Sequence, residues 1–420
     1  MALHVHSEIG RLRRVLIHRP ESEIDRMVPA MMEHLLFDDI LDGEEARQEH
    51  DTFCELLRRL GVETLDAADL LAEALAEDDP RGELLEALEE SFQVPRRVLD
   101  RLRELPPAGL TEALIGGLRS VPGSRRRGTL FDLLPVPNYF FQRDPQVVLG
   151  DRVVIGSMAT DAREREPLLA RTLFRHHPAL AGAALTEIHT PPHAVPDYGP
   201  AYPFPTLEGG DVLVVSREVL LVGISERTNR RGVEVLAEYL RGEPTSFRHL
   251  IAVELPPRRA FMHLDTVFTV IDEGVCLGYP PVIEAGGPEA ARVYSVDLSA
   301  AELTFTVQPA LLPALAAAGV VLELVPCGGD EDFIEQQREQ WTDGANAFAV
   351  APGIVFLYHR NRRTTGELEA RGWRLLDEEQ ALATADLAAG GRTVITFSGR
   401  ELSRARGGPR CMTMPLERED

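Results

Sequence analysis

Cys411 lies in RGGPRCMTMP, where Gly407-Gly408-Pro409 predicts a tight backbone turn of the kind used where a chain approaches a ligand closely. A thiol presented there is a candidate nucleophile. His263, in MHLD, is a candidate proton carrier. Carboxylates accompany them: Asp144 in NYFFQRDP, Glu208 and Asp211 in LEGGD, and Asp265 two residues after the histidine. No His-Glu-x-x-His or Cys-x-x-Cys spacing occurs, so no metal centre is predicted. Carboxylates gathered without a metal need another cation, because unpaired buried carboxylates are costly. A guanidinium suits them: it is planar, always charged and pairs bidentately with carboxylates. A thiol beside such a cation predicts covalent attack on the guanidinium carbon. The reactive species is the thiolate, and a free cysteine has a pKa of about 8.5. Neighbouring carboxylates oppose ionisation and a bound cation favours it, so activation is expected to come largely from the substrate's own charge.

Each residue also has an ordinary reading. A free cysteine is usually a small buried hydrophobe, a histidine a satisfied core or surface group, Gly-Gly a turn, and Asp144-Pro145 a turn starter. Cys54, in an apolar helix, and Cys276, in a strand, are expected to be core. Cys327, before Gly-Gly, is expected in a loop without a chemical partner.

The elements that must position these residues follow from periodicity. DPQVVLGDRVVIG, GDVLVVSREVLLVG, DTVFTVIDEGVCLG and NAFAVAPGIVFLY each read as strand, short turn, strand. They open at Asp144, Asp211 (after Gly210), Asp265 and Asn346. Helix-like segments lie between several of them, including one from about Asn229 to Leu240 that stops at Gly242. This is a repeat signature, and a ring of such units would bring the polar openings together near one axis. RRVLIH (13–18) is an opening strand. Asp42 is placed to cap a helix burying Ala46, Phe53, Leu57 and Leu60 and ending at Gly61. Residues 67–119 read as a helical block without strand signal, followed by the basic tract Arg125-Arg126-Arg127.

Composition bounds the rest. The 420 residues carry a formal charge of -23, which argues against general binding of nucleic acid or anionic membranes and suits a cationic small molecule. Four scattered cysteines make no disulfide framework and fit a reducing compartment. The N-terminus has no signal-peptide core, and the longest apolar stretch, 310–325, reads as helix, Gly319 cap and strand rather than a membrane span. A soluble, cytoplasmic protein is expected.

Taken in order, NYFFQRDP, EGGDV, GISERTN, MHLDTVF, WTDGANAFA and RGGPRCMTMPLE resemble arginine deiminase, with further similarity in RRVLIHRP, LLFDD (35–39) and ARQEHDTF (46–53). The resemblance covers nearly the whole chain. It implies the pentein fold, a five-bladed pseudo-symmetric α/β propeller over 1–66 and 131–420, with a helical bundle inserted at 67–130. It implies hydrolysis of L-arginine to citrulline and ammonia with no metal or organic cofactor, and a homo-oligomer, dimer or tetramer. By the same resemblance Cys411 is the nucleophile and His263 the general acid/base. Asp144 and Asp265 clamp the guanidinium, and Glu208 supports the guanidinium or the histidine. Arg163 and Arg227 hold the substrate carboxylate, Asn138 and Phe141 line the pocket beside them, and Arg406 lines it near the nucleophile. Arg165 competes with Arg163 for its position. The more basic YHRNRRTTGE (358–367) and the Pro-rich 191–205 depart from the expected pattern. The rival readings are a relative acting on agmatine or methylated arginine, an amidinotransferase passing the amidino group to an amine, and a non-catalytic arginine-binding protein.

Overall fold

The four strand pairs form as read from the sequence, in a computed structural model that describes residues 3–120, 130–188 and 204–420. Gln146–Leu149 pairs antiparallel with Arg152–Ile155, Val212–Val214 with Val219–Ile224, Phe268–Asp272 with Val275–Gly278, and Phe348–Ala351 with Ile354–Tyr358. The second strand of each pair then takes a parallel partner from further along the chain: Ala184–Glu187, His249–Glu254, Glu323–Pro326 and Thr393–Phe397 respectively. A helix lies in each connection: Arg165–His176, Arg230–Gly242, Leu311–Ala317 and Arg362–Ala370. Parallel pairing requires such a crossover.

The two ends of the chain complete a fifth sheet of the same pattern. Leu12–Ile17 pairs antiparallel with Met414–Arg418 and parallel with Glu63–Asp66. Strands buried on both faces explain the near-continuous apolar runs: every residue of Gln146–Leu149, Arg152–Ile155 and Ile354–Tyr358 is buried. The polar openings therefore recur at equivalent places. Asp144, Asp211, Asp265 and Asn346 each stand just ahead of the first strand of one sheet, and Cys411 stands just ahead of Met414–Arg418, which holds the matching antiparallel place in the fifth.

The helical block comprises Ala67–Ala74, Asp78–Glu90, Arg96–Arg103 and Pro107–Ile115. Its Leu70, Leu84, Leu99 and Leu110 belong to one apolar core with Val147, Val153 and Leu169. One expectation fails here: the block is not free of strand, since Leu118–Arg119 pairs with Phe131–Leu133. Two residues are too few to display an alternation. Arg125-Arg126-Arg127 and nearly all of 191–205 lie outside the described residues. Among the described residues no helix is long and apolar enough to cross a membrane.

Asp42 caps Gly43–Arg59 as its type predicts, accepting from the Glu44 and Glu45 amides. The buried face of this helix packs on the last sheet, with Phe53 stacked on Phe397 at 4.9 Å and edge-on to Phe356 at 5.2 Å. Phe53 has no exposed surface. Phe53→Ala removes a filled core volume, so urea unfolding is expected to register a loss of about 3–5 kcal/mol. A loss below about 1 kcal/mol would contradict this packing.

Candidate active site

The strand openings meet at a small cavity lined by Leu36, Asn138, Phe141, Asp144, Arg163, Arg227, Met262, His263, Thr266, Ala405, Arg406 and Cys411. Its volume is about 20 Å³, room for roughly one water. A larger ligand enters only if the wall moves. A roomier cavity, about 940 Å³, lies elsewhere, between the Gly43–Arg59 helix and 396–400, and its lining holds no thiol.

Cys411 Sγ lies 3.7 Å from Asp265 Oδ2. Burial, then the Asp265, Asp144 and Asp343 carboxylates, push the thiol well above its ordinary range. That field holds the sulfur as a thiol at neutral pH. Its loop is held by Asn346, whose Oδ1 accepts from the Arg410 and Cys411 amides at 3.0 and 3.3 Å, while its Nδ2 donates to the Asp265 carbonyl at 3.0 Å. The Gly-Gly turn has a steric reason. A side chain at Gly408 would meet the Asn346 amide at 2.6 Å, and one at Gly407 would strike the Phe141 ring.

His263 binds Glu208 through Nε2 at 2.8 Å and turns Nδ1 toward Asp144 Oδ1, 3.8 Å away. Burial opposes the imidazolium, but Asp144, the Glu208 hydrogen bond and Asp211 outweigh it and carry the group up to about 9. Burial would raise Glu208, yet the bond to His263 and the charges of Arg227 and Arg163 hold it at about 2. Glu208 is fully buried behind the histidine and does not line the cavity, so its contact is with the imidazole. Asp211 fixes the same segment, accepting from the Leu264 amide at 2.8 Å and the Ser225 hydroxyl at 2.7 Å. EGGD thus does more than turn. The Gly210 amide donates to Asp144 at 3.2 Å, and a Cβ on Gly210 would stand 2.7 Å from His263 Nδ1.

Every residue singled out for the site comes together here, with Glu208 and Asp265 standing behind the cavity-lining side chains. Arg163 is engaged in the empty site, pairing with Asp144 at 2.6 Å and with Glu166 through Nε and Nη2. Arg165 turns away to the Leu114 and Leu134 carbonyls, so Arg163 is the one that reaches the cavity. Arg227 brings a buried Nη1 without a partner. Arg406 stacks on Trp341 at 3.5 Å and donates to its carbonyl, leaving Nε and Nη2 unpartnered. Asn138 donates to the Leu35 carbonyl at 2.9 Å and tethers that segment over the cavity. One oxygen each of Asp144 and Glu208 and a nitrogen of His263 fall within 4.8 Å of one another, but Arg163 already supplies a cation among them.

Glu166, Arg410, Asp343 and Glu8 were missed by sequence reasoning. Glu166 had a signal in its i, i+3 spacing from Arg163 at a helix start. The other three had none. Cys54, Cys276 and Cys327 are all free and buried; Cys327 sits, as expected, in the turn after Glu323–Pro326, where its Sγ accepts from Thr364 Oγ1 at 3.7 Å.

Comparison with solved structures fits this description. An amidinotransferase of saxitoxin biosynthesis from Microseira wollei aligns over 100% of this chain and 98% of its own, with a TM-score of 0.56 at 14% identity. The N-terminal domain of a cyanobacterial arginine dihydrolase aligns over 97% and 98%, with a TM-score of 0.52 at 15% identity. These neighbours define the class by fold, a mixed α/β protein of the same overall arrangement. In sequence, the arginine deiminases of Streptococcus pyogenes serotype M49 (strain NZ131) and serotype M1 are each 36% identical over 439 residues, covering 100% of this chain and 98% of theirs. The arginine deiminase family profile matches residues 33–101 and 120–418. The chain belongs to the arginine deiminase family, a family of hydrolases.

The Glu208 carboxylate stabilises the His263 imidazolium, so Glu208→Gln is expected to move the His263 titration, followed by NMR, to lower pH than about 9. An unmoved midpoint would contradict the pairing.

Proposed function

We propose that this protein hydrolyses L-arginine to L-citrulline and ammonia through a thiouronium intermediate on Cys411. One observation carries the reading: a thiol, an imidazole bound to a carboxylate, and two aspartates meet at one cavity together with an arginine whose donor is unspent. The full-length 36% identity to arginine deiminases supports it.

The substrate guanidinium lies between Asp144 and Asp265, displacing Arg163 from Asp144, with its central carbon facing Sγ. Its charge offsets the carboxylates that hold the thiol protonated, and the thiol passes its proton to solvent as the guanidinium binds, leaving the thiolate. Sulfur adds to the carbon to give a tetrahedral adduct. His263, protonated below about 9, gives its Nδ1 proton to the departing nitrogen; the C–N bond breaks and ammonia leaves. The neutral imidazole then takes a proton from water, whose oxygen adds to the same carbon. The C–S bond breaks, the sulfur recovers its electron pair, and citrulline forms. Arg227, with Asn138, Phe141 and Arg406 around it, receives the substrate carboxylate, a role in which Arg163 joins once released from Asp144. That need for a free carboxylate disfavours agmatine.

We read the five like-patterned sheets as blades of a five-bladed α/β propeller spanning 1–66 and 131–420, with 67–130 as an inserted helical subdomain. Four free thiols fit a reducing cytoplasm, and a dimer or tetramer is the assembly the family resemblance implies.

The test is incubation with arginine, agmatine and a methylated arginine, measuring citrulline and ammonia. Arginine is expected to be turned over, with kcat/KM declining as pH rises through about 9, where His263 loses its proton. Cys411→Ser is expected to abolish turnover. Folded protein that forms no citrulline between pH 5 and 9 would overturn the proposal, as would normal turnover by Cys411→Ser.

A further inference from the structure

Arg410 precedes Cys411, but its side chain points away from the cavity and is fully buried. Its guanidinium is engaged on three sides. Nε and Nη2 donate to the two Glu8 oxygens at 3.0 and 3.1 Å, Nη2 also to the Val212 carbonyl at 2.8 Å, and Nη1 to Asp265 Oδ2 at 2.8 Å. Glu8 comes from the opposite end of the chain and accepts in addition from the Val214 amide at 3.1 Å. Asp265 is consequently held by one oxygen only. Oδ2, which lies 3.7 Å from Cys411 Sγ, takes the Arg410 bond, whereas the buried Oδ1 has no partner among the described residues. A buried acceptor left without a donor is costly unless a ligand supplies one.

Charge is divided about this pair. On the cavity side Cys411 faces Asp265, Asp144 and Asp343, with His263, Arg163, Arg227, Arg406 and the Tyr358 hydroxyl around the same cavity. On the far side Arg410 is accompanied by Arg143 and Arg418 around Glu8. Burial and the charge of Arg410 lower Arg143 to about 9, and burial, partly offset by Glu8, lowers Arg418 to about 10. Glu8 stays ionised: burial would raise it, but Arg410 and Arg143 hold it at about 2.

We propose that Arg410, locked by Glu8, is a positioning residue for Asp265: it engages Oδ2 so that Oδ1 is presented to the substrate guanidinium, and it screens Cys411 from part of the Asp265 charge. The inference rests on Cys411 being the nucleophile. Arg410 touches neither sulfur nor substrate and acts only through Asp265. An ion pair serving stability alone would leave the titration of Cys411 unmoved.

The experiment follows iodoacetamide alkylation of Cys411 against pH in the full chain, by peptide mass spectrometry, alongside arginine kinetics and thermal melting. Glu8→Gln leaves the Arg410 charge less compensated, so the alkylation midpoint is expected to move to lower pH. The double variant Glu8→Gln/Arg410→Gln removes both buried charges together. Its midpoint is expected to move to higher pH than the parent's, with kcat/KM falling about 10- to 100-fold, the equivalent of a lost charge-assisted hydrogen bond. Arg410→Lys keeps the charge and is expected to restore the midpoint while recovering kcat/KM only in part. Shifts of the same sign in Glu8→Gln and the double variant would overturn the proposal, as would an unmoved midpoint in a folded double variant. If the double variant does not fold, Glu8→Gln decides alone: an unmoved or raised midpoint overturns it. Failure of the parent to form citrulline strikes the proposed function instead, since alkylation requires no turnover.

Discussion

Negative charge buried beside a thiol is the constraint on which the rest of the structure depends. Asp144, Glu208 and Asp265 are each almost wholly buried; Cys411 shares its cavity with Asp144 and lies 3.7 Å from Asp265 Oδ2. Left alone they would take up protons or draw in water. Instead each is given a cation from the chain itself: Arg163 for Asp144, His263 for Glu208, Arg410 for Asp265. These pairs differ in what they leave free. Asp144 is bound to an arginine that also lines the cavity, and that arginine can be exchanged for a ligand. Asp265 is bound from behind and keeps an oxygen unspent. The site is therefore assembled for a second guanidinium before any substrate arrives.

The same constraint explains why Cys411, the proposed nucleophile, is held as a thiol. The carboxylates that would orient a guanidinium are those that keep the sulfur protonated, so reactivity and occupancy are linked through one field. His263 lies on the opposite side of this balance. Its acidic neighbours keep it charged at neutral pH, the form needed to expel ammonia. A cavity with room for roughly one water adds a geometric condition, since its wall must give way before arginine enters.

Much of this was legible from sequence because the fold repeats. Asp144, Asp211, Asp265 and Asn346 were visible as openings of strand pairs, and the structure sets each ahead of a sheet's first strand, with Cys411 at the matching antiparallel place in the fifth. Periodicity likewise exposed the Gly43–Arg59 helix and its Asp42 cap. Arg410 was illegible: its partner Glu8 is 402 residues away, and no local pattern announces an ion pair closed between the two ends of the chain. Glu208 was legible as a site residue, but choosing between guanidinium and imidazole needed the 2.8 Å contact with His263. The short Leu118–Arg119 ladder failed for the opposite reason, having too few residues for any period to show.

The central claim is that Cys411 itself carries the amidino carbon during turnover. Acid quenching during steady-state turnover of arginine, followed by mass spectrometry of the Cys411 peptide, tests it most directly. The account predicts a transient adduct on Cys411 with the mass of arginine less ammonia, absent from His263→Ala, which lacks the proton that expels ammonia. A Cys411 peptide that stays unmodified throughout turnover, while the protein forms citrulline at its normal rate, would contradict it.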